Sequence, residues 1–259
     1  MDVNAIKARL EARQNPVKGS NKSNDERSKH FWKAPVGKHL VRFVPLKSNP
    51  ENPFIELYVH YQFNKKTMIS PINWGEKDPI VEFSKNLSKS KEPEDWKLAK
   101  KIKPKMRVFA PVIVRGEEEK GVRFYEFGPQ MYDELLAYGA DEEVGDFTDT
   151  LEGRDFKLDV TQGVTYKEST IRPAMKSSPL SKDPKQVEEW LNNQVDPKDF
   201  YTKFSFEDMK SNFEKWLNPE EEAPSVTTTE SNQAFPDPKD SPVKREATIA
   251  GEFDDLFKD

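Results

Sequence analysis

The spacing of apolar residues confines the folded part of this chain to its middle. Short stretches with the alternation of a strand or the three-to-four spacing of a helix run from Phe31 to Leu217, and the pattern stops at Pro219. Hydrophobic residues make up 34% of the 259 residues, and there are 20 prolines, a composition that predicts unfolded stretches beside a core. We therefore expect a core at residues 25–218, a flexible basic N-terminal arm at residues 1–24, and a disordered linker with an acidic C-terminal tail at residues 219–259.

Several classes of protein are excluded by what the sequence lacks. Without cysteine there can be no disulfide scaffold, no Cys-ligated zinc or iron–sulfur site and no thiol nucleophile. No apolar run approaches roughly 18 residues and the N-terminus has no apolar signal core, so we expect a soluble, cytoplasmic protein. Phosphate-loop, dinucleotide, nucleophile-elbow and zinc-protease motifs are missing, and the three histidines are scattered. We expect a protein that is not an enzyme.

The apolar periodicity predicts a sheet with a few helices. Strands are expected at residues 31–47, 54–63, 108–114, 122–127 and 156–161. Helices are expected at residues 1–14, from residue 92, and at residues 129–139, 183–193 and 205–217. Residues 64–91 are predicted to be irregular, within an insertion subdomain at residues 64–105. The predicted class is mainly β with peripheral helices (α+β), with an oligonucleotide-binding-fold (OB) β-barrel as the core; an α+β sandwich would give a similar pattern.

Charge is distributed unevenly along the chain. Basic residues exceed acidic ones by 10 over residues 1–105, whereas acidic residues exceed basic ones by 6 over residues 106–176 and by 9 over residues 177–259. Such asymmetry predicts a basic surface for a polyanion and a separate acidic tail.

The basic part of the chain also contains many aromatic residues. A protein that binds single-stranded nucleic acid needs cations along the phosphate path and flat rings on which unpaired bases stack. Any one ring could equally be an ordinary core residue, but the whole group is harder to bury together. The candidate DNA-binding residues in this part are Arg42, Tyr58, Tyr61, Lys65, Lys66, Trp74, Phe83, Trp96, Lys100, Lys101, Lys103, Lys105 and Arg107.

A series of short motifs occurs in a recognisable order and spacing. They are Trp32 followed by Val41-Arg42-Phe43-Val44-Pro45, Pro53-Phe54-Ile55 leading to His60, Asp95-Trp96-Lys97-Leu98 before the lysine run, residues 108–114, Tyr125-Glu126-Phe127-Gly128, Glu152-Gly153 with Phe156, Tyr166-Lys167-Glu168-Ser169, and Asp254-Asp255-Leu256. In this order the chain resembles the single-stranded DNA-binding, helix-destabilising proteins of T-even-type bacteriophages, over nearly its whole length.

The resemblance implies cooperative binding of single-stranded DNA with little sequence preference, during phage DNA replication, recombination and repair in the cytoplasm of an infected bacterial host. It adds Arg123, Tyr125 and Tyr166 to the DNA-binding candidates. Self-association along the strand would use an N-terminal arm, for which Lys7, Arg9 and Arg13 are the candidates. Recruitment of a polymerase, a helicase loader and a recombination mediator would use the tail residues Phe253, Asp254, Asp255, Leu256 and Phe257.

One departure from the resembled family concerns zinc. The resemblance implies a zinc ion held by one His and three Cys, with His60 at the matching His position. Asp78-Pro79-Ile80-Val81 stands where a Cys-Pro-x-Cys pair would be, so that tetrahedral site cannot form. We therefore predict no cofactor, a structural role for His60, and hydrophobic packing in place of the metal by Trp74, Ile80, Val81 and Phe83.

Two other functions are compatible with the same sequence. An RNA-binding translational regulator could be built on a similar barrel and would prefer RNA to DNA of equal length. An adaptor protein could use its rings only as core and its tail only for docking. A preference for RNA over DNA of equal length and sequence would favour the regulator. Unquenched tryptophan fluorescence on adding poly(dT), with no salt-dependent complex, would favour the adaptor.

Overall fold

A computed structural model describes residues 27–63, 66–164, 166–217, 249, 251–253 and 255–257. The predicted arm residues Lys7, Arg9 and Arg13, together with Lys65 and Asp254, lie outside these ranges. The chain divides into two compact units. Unit 1 comprises Met1–Glu56 and Arg107–Phe200, and unit 2 comprises Leu57–Met106 and Tyr201–Asp259.

The described residues form eight strands and five helices of more than two turns. The strands are β1 (Phe31–Trp32), β2 (Gly37–Phe43), β3 (Ile55–Phe63), β4 (Lys66–Ile69), β5 (Lys105–Val114), β6 (Arg123–Phe127), β7 (Arg154–Gln162) and β8 (Lys167–Ser177). The helices are α1 (Pro79–Leu87), α2 (Pro93–Ile102), α3 (Pro129–Ala140), α4 (Pro184–Asn192) and α5 (Phe206–Leu217).

Six of the strands follow one another in the order β1-β6-β5-β2-β7-β8. β1 and β6 are parallel, and the other neighbours are antiparallel. Along this path the described pairings leave β1 and β8 as its two ends. The mainly β, α+β class is therefore confirmed, whereas a closed barrel stays a prediction.

The core of unit 1 is built from residues that alternate along the strands. Val41 pairs with Phe156, and both side chains are buried, as is Phe43 two residues further along β2. The ring of Phe43 packs edge-on against Phe156 and Phe147, with centroids 5.3 and 5.8 Å apart. Because side chains alternate between the two faces of a strand, this arrangement places one row of each strand inside.

Unit 2 is a β-hairpin with helices. β3 pairs with β4 in antiparallel register, and α1, α2 and α5 supply much of the core beside it. Asp78 caps α1 by accepting from the backbone N–H of Ile80 and Val81, and Pro79 occupies the first turn. Residues 64–91 were predicted to be irregular, which is wrong, because they include β4 and α1.

The helix predicted at residues 1–14 lies outside the described residues, and the strand predicted at residues 31–47 is divided into β1 and β2. The other predicted strands, and the helix predicted from residue 92, agree with the structure within a few residues. The helices at 129–139, 183–193 and 205–217 are confirmed as α3, α4 and α5, and Ser205 Oγ accepts from the backbone N–H of Asp208 at the start of α5. β8 was not predicted. In the described part of the chain, no helix has the length and apolar character needed to cross a membrane.

Candidate nucleic-acid interface

Helix α2 of unit 2 presents an uncovered indole beside lysines. Its buried residues are Asp95, Ala99 and Ile102, spaced by four and three positions along one face. Trp96 therefore projects from a different side, and 62% of it is exposed. Because residues four apart lie one turn above each other, Lys100 is on the same side as Trp96. Large rings are usually buried, so an indole this exposed is a candidate binding group.

The lysines at and beyond the end of α2 are accessible. Lys100, Lys101, Lys103 and Lys105 are all exposed. The amino group of Lys101 lies 5.2 Å from the centre of the Trp216 ring, and that of Lys105 donates to the carbonyl oxygen of Lys100 at 3.3 Å. The group forms a cationic surface on unit 2, which we call the α2 lysine surface.

Two more predicted rings of unit 2 are partly accessible. Tyr61 on β3 is 39% exposed, and Tyr58 is half-buried. Trp74 is also half-buried, with the amino group of Lys203 5.5 Å from its ring centre. The side chain of Asn73 holds this region by bonding to the backbone N–H and carbonyl of Tyr58, both at 2.8 Å.

Unit 1 carries a predicted ring and a cationic groove. Tyr166 between β7 and β8 is 70% exposed. Across β2, β7 and β8, Leu40 pairs with Lys157 and Lys157 with Arg172. Together with Lys38, these residues line a groove of about 570 Å³ on the sheet, which we call the β-groove.

Sequence reasoning missed the cations of the β-groove because β8 was not predicted. Lys157 and Arg172 become neighbours only through the pairing of β7 with β8. One pattern in the sequence could have placed Lys157 on an open face of the sheet. Lys157 and Asp159 alternate with the buried Leu158 and Val160, as the outward and inward residues of a strand do.

Arg42 was predicted to contact phosphate, and the structure corrects this. Its side chain is 0% exposed. It donates to the carbonyl oxygens of Asp149 and Ser178, both at 2.7 Å, and to Asp155 Oδ1 at 3.2 Å. Burial lowers the pKa of this guanidinium against the opposing effect of Asp155. We assign Arg42 to the internal structure of unit 1.

Three further candidates are buried. Arg123 is in a salt bridge to Glu117 at 2.6 Å, and its side chain is only 7% exposed. Phe83 packs in the helical core of unit 2. Tyr125 packs against Trp32 with ring centroids 5.3 Å apart, and burial raises the pKa of its hydroxyl. All three residues are buried, so their assignment to the DNA-binding surface is also corrected.

Two more residues were predicted to bind DNA, Arg107 and Lys66. Arg107 is half-buried and donates to Glu126 Oε1 at 2.8 Å, so its charge is partly compensated. Lys66 is described only as the first residue of β4.

The place where the resemblance implies zinc is filled by a hydrogen-bond network. His60 Nδ1 faces the carbonyl oxygen of Ile102 at 3.1 Å, and Nε2 faces Asp78 Oδ2 at 2.9 Å. Of the residues predicted to pack there, Ile80 and Phe83 are buried, whereas Trp74 and Val81 are half-buried. The predicted hydrophobic packing is therefore present only in part, and the hydrogen bond between His60 and Asp78 lies beside it. Within the described ranges, no three His, Asp or Glu residues cluster as a metal site.

The exposed groups can do two things chemically. The face of Trp96 can stack an unpaired base, and amino groups one turn away can neutralise its phosphate.

A family model described as "gp32 DNA binding protein like" matches residues 36–218, well over half of the chain. A search of curated proteins found no match.

Proposed function

Since the chain belongs to the gp32-like DNA-binding protein family, we propose that it binds single-stranded DNA and coats unpaired strands cooperatively, with little sequence preference. The proposed setting is phage DNA replication, recombination and repair, in the cytoplasm of the infected bacterial host. The activity requires no catalytic step and, with no cysteine for a zinc site, no cofactor.

The observation that carries this proposal is the exposed Trp96 on the α2 lysine surface. Stacking of a base on an aromatic ring contributes about 1–3 kcal/mol and does not depend on the base, since every base has a π face. Lysines contribute by releasing counterions from the strand, which is also independent of sequence. The two together support tight binding with little sequence preference.

Unit 1 supplies supporting observations of the same kind. Tyr166 offers a second exposed ring, and Lys38, Lys157 and Arg172 supply positive charge along the β-groove. A barrel of the oligonucleotide-binding kind, our proposal for the architecture of the core, binds strands on such a sheet surface.

Two proposed activities rest on the ends of the chain. Subunits on one strand would contact each other through the basic arm with Lys7, Arg9 and Arg13. Replication and recombination proteins would be recruited through the acidic, aromatic tail. Deleting residues 1–16 should then lower cooperativity on a long strand more than affinity for a short oligonucleotide, and equal losses would contradict the role of the arm.

A titration of the full chain with oligo(dT) at several salt concentrations tests the main proposal. We expect quenching of tryptophan fluorescence and an affinity that falls steeply with salt, with a logarithmic slope of about −0.7 for each phosphate contacted. Oligo(U) of equal length is the comparison. Tighter binding to RNA would favour the translational regulator, and the lack of any salt-dependent complex would favour the adaptor.

A further inference from the structure

The C-terminal residues of the chain lie against the helices of unit 2. Phe253 is 0% exposed. Its ring centre is 5.1 Å from that of Phe83 on α1 and 4.8 Å from that of Phe213 on α5, in edge-to-face contacts. Aromatic pairs favour this geometry. A residue predicted to engage partner proteins is thus the most deeply buried described residue of its segment.

The apolar residues of this segment are spaced as one side of a helix. Ile249, Phe253 and Phe257 are four residues apart and all pack on the same cluster. Phe257 lies 5.3 Å from the ring of Phe206, and the amino group of Lys210 lies 5.5 Å from its ring centre. The residues between them are different: Glu252 and Asp255 are exposed. The segment is an acidic amphipathic peptide seated on α1 and α5 by its apolar side.

The composition of the chain between α5 and residues 249–257 favours the interpretation that these residues are a docked peptide and not a fixed part of the core. Residues 218–248 are rich in Pro, Ser, Thr and acidic residues, a composition that predicts a linker without a core of its own. Among the described residues of the segment, Phe253 is the one that is fully covered, and Leu256 is 37% exposed.

We propose that the face formed by α1 and α5 is the resting docking site of this chain's own residues 249–257, with Phe253 as the anchor. Partner proteins that use Phe253 or Phe257 then compete with this face, and recruitment requires the peptide to leave it. The contact is hydrophobic, and the inference does not depend on DNA binding.

The tether sets how tightly an added peptide can compete. A flexible linker whose length matches the span between its two sites holds its ligand at an effective concentration on the order of 1 mM. If the untethered peptide binds with a Kd of about 0.1 mM, the tethered copy fills about nine-tenths of the sites and weakens an added copy about tenfold.

The test uses a fluorescent peptide with the sequence of residues 246–259, titrated into three full-length chains. These are wild type, Phe253→Ala, and Leu256→Ala as the matched control from the exposed side. We expect the peptide to bind the Phe253→Ala chain about tenfold more tightly than the other two. A peptide that itself carries Phe253→Ala should bind none of them.

Three results would overturn the inference. The first is equal affinity for all three chains, and the second is no binding to the Phe253→Ala chain. The third is loss of helical circular dichroism in that variant, which would make Phe253 an integral core residue. Hydrogen exchange of the wild-type chain gives a second measurement. A docked peptide should exchange at residues 249–257 faster than the interior of α5, and equal exchange would contradict docking.

Discussion

His60 Nε2 lies 2.9 Å from Asp78 Oδ2, and neither side chain is exposed to solvent. The same carboxylate accepts a hydrogen bond from Ser70, and its other oxygen accepts from the backbone N–H of Ile80 at 2.9 Å. Through His60 the network also reaches the carbonyl oxygen of Ile102 at the end of α2. One buried pair therefore joins β3, the start of α1 and the end of α2, as a metal would.

Replacing Asp78 by alanine should destabilise unit 2 strongly. The substitution leaves the buried His60 Nε2 without its hydrogen-bond partner, which costs about 1–3 kcal/mol, and it also removes the cap of α1, which costs about 0.5–2 kcal/mol more. Urea unfolding of the purified chain measures the loss. Asp183→Ala is the matched control, since Asp183 caps α4 at an exposed position and loss of a cap costs about 0.5–2 kcal/mol. Equal losses would show that Asp78 acts only as a cap.

The same pair makes stability depend on pH in a definite direction. Burial by itself raises the pKa of the Asp78 carboxyl, but the hydrogen bonds from His60 and Ser70 and the charge of His60 outweigh it. The pKa lies below its ordinary value of 3.8. A lowered pKa contributes stability above the unfolded value, and that contribution is lost as pH falls through the folded value. We expect the urea midpoint of wild type to fall more steeply than that of Asp78→Asn below about pH 4; parallel curves would contradict the assignment.

The elements that sequence could predict are those with an uninterrupted pattern. β5 and α5 have clear apolar periodicity and were placed within a few residues. β8 has Ile171 as its single buried residue among eleven, so it gives no alternation of buried and exposed positions to read. α1 is short, yet its start at Asp78-Pro79 was a readable signal, because an Asp cap before a Pro is a common helix beginning.

The candidate site was predictable in residue type but not in side-chain environment. β2 alternates over its first four residues, and then Val41, Arg42 and Phe43 are all buried. Alternation would place Arg42 in solvent, but Ser178 and the carbonyl of Asp149 cover that face. These partners lie more than a hundred residues along the chain, so local spacing could not reveal them. The sequence could not show that Trp96 is exposed while other predicted rings are buried. That distinction required knowing that Asp95, Ala99 and Ile102 form the buried side of α2.

Arg42→Met should lower stability without changing the salt dependence of DNA binding. The side chain donates to two carbonyls and a carboxylate inside unit 1. Asp155 keeps Arg115 as a partner at 2.9 Å, so the main loss is that of two hydrogen bonds to carbonyl oxygens, at about 1–3 kcal/mol for each oxygen left unpaired. Lys185→Met is the matched control at an exposed site outside both proposed surfaces, where stability should change by less than about 0.5 kcal/mol. Urea unfolding and oligo(dT) titration of both variants check this. A lower salt slope in a still folded Arg42→Met chain would restore Arg42 to the DNA-binding surface.

Trp96→Ala should weaken oligo(dT) binding by about 1–3 kcal/mol, or roughly 5- to 150-fold, because one stacking face is lost. Trp96→Phe should recover much of the affinity, since a phenyl ring also stacks. Leu151→Ala, another large exposed apolar side chain, is the control for nonspecific loss of surface. Fluorescence anisotropy with a labelled oligonucleotide measures all three, so the readout does not depend on the tryptophan removed. Unchanged affinity in Trp96→Ala would remove the central observation from the proposed function.

Lysine substitutions separate the contributions of the two units. Removing a lysine that neutralises one phosphate should reduce the magnitude of the logarithmic salt slope by about 0.7, whatever the base sequence. Lys100→Ala tests the α2 lysine surface, and Lys157→Ala tests the β-groove. Lys185→Ala on α4 is the control, since this exposed lysine belongs to neither surface and should leave the slope unchanged. If Lys157→Ala matches that control while Lys100→Ala does not, the strand follows unit 2 without using the β-groove. A reduction in both variants would place phosphates on each unit.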